Sequence, residues 1–300
     1  MKKKIVAKIS EGLGNQLFMY ANSFAISKKF NFDFYIDPYS GYYKKNIRHF
    51  MLDNFNISSK VASSNWIFSN NFRNFYKKIL INLEYFQKYK SFIFEKKNLN
   101  KLTNYKPLDL KYTKNTIYVD GNFESEKYFF NFRNHILSEF SLKDNLEYNN
   151  KYLDLIRNYN VVSISIRQNR YSERISNRDN FNSKEKSNFF LKQTIQYIYR
   201  SLDFLKDKID NPKYLLWSDD FTNLNEYFPK NLFYYVDNSQ NKILTDFFLL
   251  TQCKNFIIGP STFSWWGAWL STQNNKLCIR PKNINPSNNV DFWPEKWISI

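Results

Sequence analysis

Apolar positions at the start of the chain alternate between strand-like and helix-like spacing. Lys4–Ser10 is a short apolar run typical of a buried strand, and Phe32–Ile36 alternates apolar and polar positions as a second strand does. Between them, Leu17–Phe30 carries apolar residues at helical spacing, which are Leu17, Tyr20, Ala21, Phe24 and Ala25. This order predicts a βαβ unit and therefore an α/β fold.

The second half of the chain repeats the same pattern. Val161–Ile164, Tyr214–Trp217 and Asn255–Ile258 have the apolar character of buried strands, and Ser183–Leu205 has the spacing of a long amphipathic helix. The pattern therefore predicts a second α/β domain.

The middle of the chain is less regular. Residues 38–115 show no clear α/β rhythm, although Phe55–Phe94 contains helical stretches interrupted by Asn. Asn115–Val119 is predicted as a strand, and a helix is expected from Ser125 to about Leu142. The polar, Asn-rich segment 144–159 is predicted to link the domains, which gives a first domain over 1–150 and a second over 151–300.

The first candidate ligand-binding segment follows the Asn255–Ile258 strand. Gly259 and Pro260 end the strand, and Ser261 or Thr262 is predicted to cap a helix that contains three tryptophans. Amide groups and the positive end of the helix dipole meet at such a start, where a phosphate can bind. The sequence leaves two interpretations open, an anion site or a capped core helix.

A glycine turn, Glu11–Gln16, separates the first strand from the first helix. Gly12 and Gly14 have no Cβ, so the backbone there can approach a ligand, and Asn15 adds a polar side chain. A tight turn without a ligand explains the glycines equally well. The dinucleotide-binding motif requires a third glycine where this chain has Leu17, and no phosphate loop with Lys and Ser or Thr follows.

Four motifs in a fixed order resemble the α-1,2-fucosyltransferases of glycosyltransferase family 11, and the likeness runs from about residue 5 to about residue 285. The last of them, with its three tryptophans, is the most specific. The motifs are Gly12–Phe18, Gly121–Phe129, Trp217–Asp220 and Ser261–Leu270.

The resemblance implies a GT-B fold of two facing Rossmann-like domains. Domain 1–150 would then face the acceptor, with much of that surface supplied by residues 38–115, and domain 151–300 would bind the GDP-sugar. The implied reaction is an inverting transfer of L-fucose from GDP-L-fucose to the 2-hydroxyl of a glycan such as a galactoside. Neither a metal nor another cofactor is expected.

One family motif is altered. The family usually carries His-x-Arg-Arg-Gly-Asp-Tyr, whereas this chain has the sequence Ser-Ile-Arg-Gln-Asn-Arg-Tyr over 165–171. Arg167 is retained and can clamp a diphosphate with two hydrogen bonds. Ser165 replaces the histidine, and Arg170 adds a cation where the aspartate usually lies. We favour a diverged branch with rearranged donor contacts over a change of donor, although both interpretations remain open.

The remaining donor contacts are predicted at two strand ends. Ser218, Asp219 and Asp220 follow the Tyr214–Trp217 strand, where a carboxylate can accept hydrogen bonds from guanine or ribose. Solvated loop acids and metal ligands are the alternatives, and metal is the weakest because the chain has no Asp-x-Asp. Ser261, Thr262 and Phe263 are expected at the leaving phosphates.

Glu11 is the candidate general base, because it flanks the glycine turn and the family aspartate is absent. An exposed loop glutamate without a catalytic role is an equally good explanation. Glu173, which follows the altered motif, is the next candidate.

Composition and charge restrict the possible partners. The net charge of +17 fits nucleic acid, an anionic membrane or a phosphorylated acceptor. A nucleic-acid-binding protein would need base-stacking motifs on a sheet, and none is found. A lipid-linked oligosaccharide acceptor at an anionic membrane fits the motifs best. The two cysteines form no metal motif or disulfide framework, and no apolar run approaches a span, so a soluble or peripheral cytoplasmic protein is expected.

Overall fold

The computed structural model describes residues 2–44, 48–95, 102–143, 151–173, 177, 179–237 and 242–300. The chain divides into two compact units. The first contains Met1–Asp144 and Ser287–Pro294, and the second contains Asn145–Pro286 and Glu295–Ile300. Each unit has a parallel sheet with helices, so the predicted α/β class with two Rossmann-like units is confirmed.

The first unit contains a five-stranded parallel sheet of order β3-β2-β1-β5-β4. Its strands are β1 (Lys4–Lys8), β2 (Asp33–Asp37), β3 (Lys60–Val61), β4 (Lys90–Phe94) and β5 (Thr113–Asp120). Its helices are α1 (Leu13–Phe30), α2 (Asn71–Tyr85) and α3 (Arg133–Glu139). The predicted N-terminal βαβ unit is therefore confirmed, with β1 and β2 paired in parallel.

Helix α1 begins earlier than predicted. The sequence places Gly14, Asn15 and Gln16 in a turn, but the helix starts at Leu13 with Gly12 as its N-cap residue. The amides of Asn15 and Gln16 donate to the carbonyl oxygen of Gly12 at 3.0 and 3.1 Å. These bonds extend the helix through Gly14 despite the low helix propensity of glycine.

One segment of the first unit is more regular than the sequence indicates, and one helix prediction is wrong. Residues 38–115 contain β3, α2 and β4, and α2 lies within the helical stretches predicted over Phe55–Phe94. Asn70 caps α2 by accepting from the amide of Arg73 at 2.8 Å, and β4 pairs with β5. The single helix expected over 125–142 is broken into two short 3-10 turns followed by the seven-residue α3. Buried aromatic residues lie at this break, for example Phe129, whose side chain is 1% exposed.

The second unit contains a six-stranded parallel sheet of order β11-β10-β9-β6-β7-β8. Its strands are β6 (Val161–Ile166), β7 (Lys213–Ser218), β8 (Phe233–Tyr235), β9 (Asn255–Ile257), β10 (Leu277–Arg280) and β11 (Ile298–Ser299). Its helices are α4 (Lys151–Asn158), α5 (Phe181–Leu205), α6 (Lys242–Gln252) and α7 (Thr262–Leu270). The strands and helices predicted for the second half are all present.

The segment predicted as an interdomain link is partly helical. Residues 144–150 lie outside the described part of the chain, but α4 covers most of the remainder. Tyr152 and Leu153 are buried, and the Tyr152 hydroxyl donates to the carbonyl oxygen of Tyr235 at 2.6 Å. Leu155 and Ile156 are half-buried as well, so four of the eight residues of α4 supply its apolar surface.

Residues 287–294 return to the first unit, although the sequence-based boundary assigns all of 151–300 to the second. Phe292 is fully buried, and its ring lies 6.2 Å from that of Phe18. Asp291 accepts from the Lys127 ammonium at 2.7 Å. An aromatic contact and an ion pair thus join this late segment to α1 and its surroundings.

No helix in the described ranges is both long and apolar enough to cross a membrane. Cys253 is fully buried, and burial raises the pKa of its thiol, so it is a poor nucleophile.

Candidate active site

The candidate residues of the second unit meet at one edge of its sheet. The chain passes from β6 outward to β7 and β8 and then returns to the other side of β6 with β9. The carboxyl ends of β6 and β9 therefore border the point where the strand order reverses, which is where open parallel sheets bind ligands. Arg167 follows β6 and Gly259 lies two residues after β9.

Gly259 allows α7 to begin directly against the end of β6. A Cβ atom on Gly259 would lie 2.2 Å from the carbonyl oxygen of Ser165 and 3.0 Å from its Cβ, distances that no side chain can occupy. Ser165 is thereby placed beside the start of α7. The close approach explains why a glycine ends this strand.

Of the two predicted capping residues, Ser261 and Thr262, it is Ser261 that caps α7. Its hydroxyl accepts from the amide of Ser264 at 3.2 Å, and the Ser264 hydroxyl donates to the carbonyl oxygen of Gly259 at 2.6 Å. The amides of Thr262 and Phe263, in the first turn, have no hydrogen-bond partner among the described residues. Together with the helix dipole, these two donors make the start of α7 suited to a phosphate.

Arg167 is ion-paired with the carboxylate of Glu173, six residues further along the same loop. Both side chains are about one quarter exposed, so the guanidinium is accessible at the strand end rather than buried in the core. A guanidinium at this position can bind a diphosphate in place of the carboxylate.

The adjacent loop is held by the two aspartates. The carboxylate of Asp219 accepts from the amides of Gln168 at 2.8 Å and Asn169 at 3.3 Å. One oxygen of Asp220 accepts from the side-chain amide of Asn169 at 3.2 Å, and its carbonyl oxygen accepts from the side chain of Gln168 at 2.6 Å. The Ser218 hydroxyl also donates to the Asp220 carbonyl oxygen. The aspartates therefore position the backbone beside Arg167, and a contact of either with base or ribose remains a prediction.

Arg170 connects the altered motif to the start of α7. Its guanidinium donates to the carbonyl oxygens of Pro260 at 3.3 Å and Pro286 at 2.7 Å, and it lies 5.0 Å from the ring of Phe190. Arg170 therefore links the loop at Pro260 to the segment at Pro286. Its predicted contact with the leaving group stays a prediction.

In the first unit, the glycine turn also lies where the strand order reverses, between β1 and β5. Glu11 precedes Gly12 and has a φ of 66°, a left-handed conformation that is unfavourable for a residue with a long side chain. Its carbonyl oxygen accepts from the side chains of Gln16 at 3.0 Å and Tyr42 at 3.1 Å. Burial, and after it the Glu11 carboxylate, raises the pKa of the Tyr42 hydroxyl. Strained backbone of this kind persists where surrounding contacts impose it and is common at functional sites.

Two residues of this turn region are missing from the sequence-based set. Gln16 is fully buried and donates to the carbonyl oxygens of Glu11 and of His49, the latter at 2.8 Å, while its own oxygen accepts from the amide of Met51 at 2.9 Å. The side chain of Arg48 lies over Gly12, with its Nε 3.8 Å from where a Cβ would be. Gln16 stands in the glycine motif, which is the only signal that could have found it, whereas nothing in the sequence marks Arg48.

Comparison with known proteins agrees with the motifs. A family model described as glycosyl transferase family 11 matches residues 4–300. An alpha-1,2-colitosyltransferase of Escherichia coli is 29% identical over 311 residues, covering 99% of this chain and 98% of that protein. The O-antigen biosynthesis glycosyltransferase WbnK of Escherichia coli is 28% identical over 149 residues, which cover 49% of this chain and 46% of its own length.

Two solved structures share the fold at low sequence identity. The fucosyltransferase NodZ from Bradyrhizobium superposes with a TM-score of 0.50 at 13% identity, over 89% of this chain and 93% of its own. A mutant of Arabidopsis thaliana FUT1 in complex with GDP gives a TM-score of 0.51 at 12% identity, over 90% and 69%. The likeness confirms the GT-B type of fold predicted from the resemblance.

We expect Gln16→Met to destabilise the first unit, because it removes three hydrogen bonds in a fully buried position while keeping the side-chain volume. The free energy of unfolding should fall by about 2–4 kcal/mol. Urea unfolding measures this loss, and hydrogen exchange should show a less protected Met51 amide. Gln252→Met is the matched control, since among the described residues the side chain of Gln252 donates only to the hydroxyl of its neighbour Thr251. Unchanged stability and unchanged Met51 protection would show that Gln16 does not hold the turn.

Proposed function

The chain belongs to glycosyltransferase family 11, and from that premise we propose that it transfers L-fucose from GDP-L-fucose to the 2-hydroxyl of a galactoside, with inversion at the sugar. We further propose that the acceptor is part of a bacterial surface glycan assembled on a lipid carrier. The family match over residues 4–300 supports the reaction class. The single structural observation that carries the proposal is the meeting of Arg167 and the start of α7 at the sheet's reversal point.

The leaving GDP is the natural ligand for this pair of groups. We propose that the amides of Thr262 and Phe263 bind phosphate oxygens while Arg167 exchanges the Glu173 carboxylate for the diphosphate. Negative charge grows on the diphosphate as the bond to the sugar breaks, so donors already in place stabilise the transition state more than the ground state. Asp219 and Arg170 would contribute by holding the two loops that carry these donors.

Acceptor activation is assigned to Glu11 in this proposal. The hydrogen bonds to its carbonyl oxygen hold the strained backbone and so fix where its side chain leaves the chain. A carboxylate in such a fixed position can accept the proton of the attacking hydroxyl. Glu173 is ion-paired with Arg167 and is therefore the second choice.

A second candidate donor is a colitose nucleotide, and the observation that favours it is the colitosyltransferase relative, which matches 99% of this chain. Colitose is fucose without its 3-hydroxyl group, so the same phosphate contacts would serve both donors. A site that hydrogen-bonds the 3-hydroxyl would reject the sugar lacking it by about 10⁴-fold.

The experiment that tests the function compares GDP-L-fucose, GDP-colitose and GDP-mannose as donors with a terminal galactoside as acceptor. We expect transfer from GDP-L-fucose to the 2-hydroxyl with inversion, observed by NMR of the product, and a much higher kcat/KM than for the other two donors. We also propose that no metal is required, so activity should persist in EDTA. Preference for GDP-colitose would favour the second candidate. Retention at the anomeric carbon, or magnesium-reversible loss in EDTA, would contradict the mechanism.

Arg167→Ala should lower kcat by about 100-fold or more, because a charge-assisted contact with the leaving diphosphate is lost. Arg167→Lys should recover little of it, since an ammonium group cannot reproduce the two-pronged contact. Release of GDP under steady-state conditions is the measurement. Arg200→Ala, which changes an exposed arginine on α5 of the same unit, is the control and should have normal activity. Near-normal transfer by Arg167→Ala would remove this residue from the mechanism.

Glu11→Gln should lower the transfer rate by about 10²–10⁴-fold and leave GDP affinity unchanged, because the amide keeps the shape but cannot accept a proton. Rapid-quench transfer and calorimetric GDP binding measure the two quantities. Glu11→Gly separates the effect of the carboxylate on activity from the effect of the strained backbone on stability. It should lose the same activity yet raise the free energy of unfolding by about 1 kcal/mol, since glycine adopts positive φ without strain. A normal rate for Glu11→Gln would move the base to Glu173 or to water.

A further inference from the structure

Helix α2 exposes a wide apolar stripe to solvent, while Leu80 and Ile81 pack against the core. Its exposed apolar residues follow one another at intervals of three and four along the helix, so they form a continuous stripe about 100° wide. We call this stripe the α2 face, and it consists of Phe72 (79% exposed), Phe75 (61%), Tyr76 (49%), Ile79 (40%) and Leu83 (58%).

The opposite side of α2 is anchored by the half-buried Leu80 and Ile81, which pack against the core, and by polar contacts. Lys77 is 7% exposed and its ammonium lies 3.1 Å from the carboxylate of Asp120, at the end of β5. Glu84 is 6% exposed, accepts from the amide of Ser91 at 2.7 Å and binds the ammonium of Lys114 at 2.8 Å. Rotating the helix to bury the exposed stripe would break both buried charge contacts, and each broken contact would leave a buried charge uncompensated.

The surroundings of the α2 face are aromatic and basic. From Asn70 through Lys90 the sequence has five cationic residues, of which Lys77 is buried, and its one acidic residue is the buried Glu84. At the end of the helix, Tyr85 and Phe86 are 77% and 90% exposed. The ammonium of Lys88 lies 5.0 Å from the ring of Tyr112. Aromatic side chains bordered by lysines are the composition that binds at a lipid–water interface.

We propose that the α2 face lies in the plane of an anionic lipid bilayer, with its aromatic and aliphatic side chains inserted at the headgroup level and Lys78 and Lys88 beside lipid phosphates. A second copy of the chain is the other possible occupant of an apolar face. A two-fold interface would bring this basic, acid-poor surface against itself, whereas anionic lipid complements it. The proposal does not depend on the sugar donor, because lipid binding is measured without any substrate.

The test is flotation of the intact protein with vesicles of equimolar phosphatidylglycerol and phosphatidylethanolamine, compared with vesicles of phosphatidylcholine. We expect the protein to float with the anionic vesicles at low salt, to bind them more weakly as salt screens the lysines, and to bind phosphatidylcholine poorly. Failure of the wild-type protein to float with anionic vesicles at low salt would overturn the proposal.

A triple variant, Phe72→Gln with Phe75→Gln and Leu83→Gln, should lower the vesicle partition constant by about 100-fold or more, since each inserted side chain contributes on the order of tenfold. The matched control changes three exposed aromatic residues of α5 in the second unit, Phe181→Gln with Phe189→Gln and Tyr199→Gln, and should bind like the wild type. Circular dichroism establishes that both variants are folded.

Three further outcomes would overturn the proposal. The first is equal loss of binding in both triple variants. The second is unchanged binding in the α2 variant. The third, from light scattering after gel filtration, is a wild-type dimer that the α2 substitutions convert to a monomer, because the α2 face would then bind a second copy.

Discussion

The strand order of each parallel sheet is the constraint on which the candidate residues of both units depend. In the first sheet the order reverses between β1 and β5, and in the second it reverses between β6 and β9. Because parallel strands share one carboxyl edge, the glycine turn after β1 and the Arg167 loop after β6 each lie at such a reversal. The close approach of Gly259 to Ser165 is part of the same arrangement, since it brings the start of α7 to the end of β6.

Polar side chains near these reversals serve mainly to hold backbone in place. Gln16 ties the glycine turn to the segment around His49 and Met51, Asp219 binds two amides of the Arg167 loop, and Arg170 braces Pro260 and Pro286. Within each unit, such contacts hold the groups proposed to act there in a fixed position, so little local reorganisation is needed during the reaction. Polar residues that could bind a ligand directly can thus act instead by holding the backbone that carries the ligand-binding groups.

Helix α2 has apolar residues on two sides. Leu80 and Ile81 pack against the core beside the paired Lys77 and Glu84, and this arrangement leaves the wider apolar stripe exposed. If that stripe binds an anionic bilayer, the first unit would be held close to acceptors carried on lipid. The proposed surface would then give the enzyme access to the membrane-bound glycan that the proposed reaction uses.

The sequence by itself determined the α/β class, the N-terminal βαβ unit, the strands that precede the candidate site, the Ser261 cap and the family. These features follow from local periodicity, from capping chemistry, or from a motif such as Ser261–Leu270. Only the tertiary structure decided that α1 starts at Leu13, that 287–294 returns to the first unit, that Asp219 and Arg170 brace loops, and that α2 leaves its wider apolar stripe exposed. These facts depend on partners far away in sequence, such as Asp120 for Lys77 and Phe18 for Phe292, and a local pattern carries no information about them.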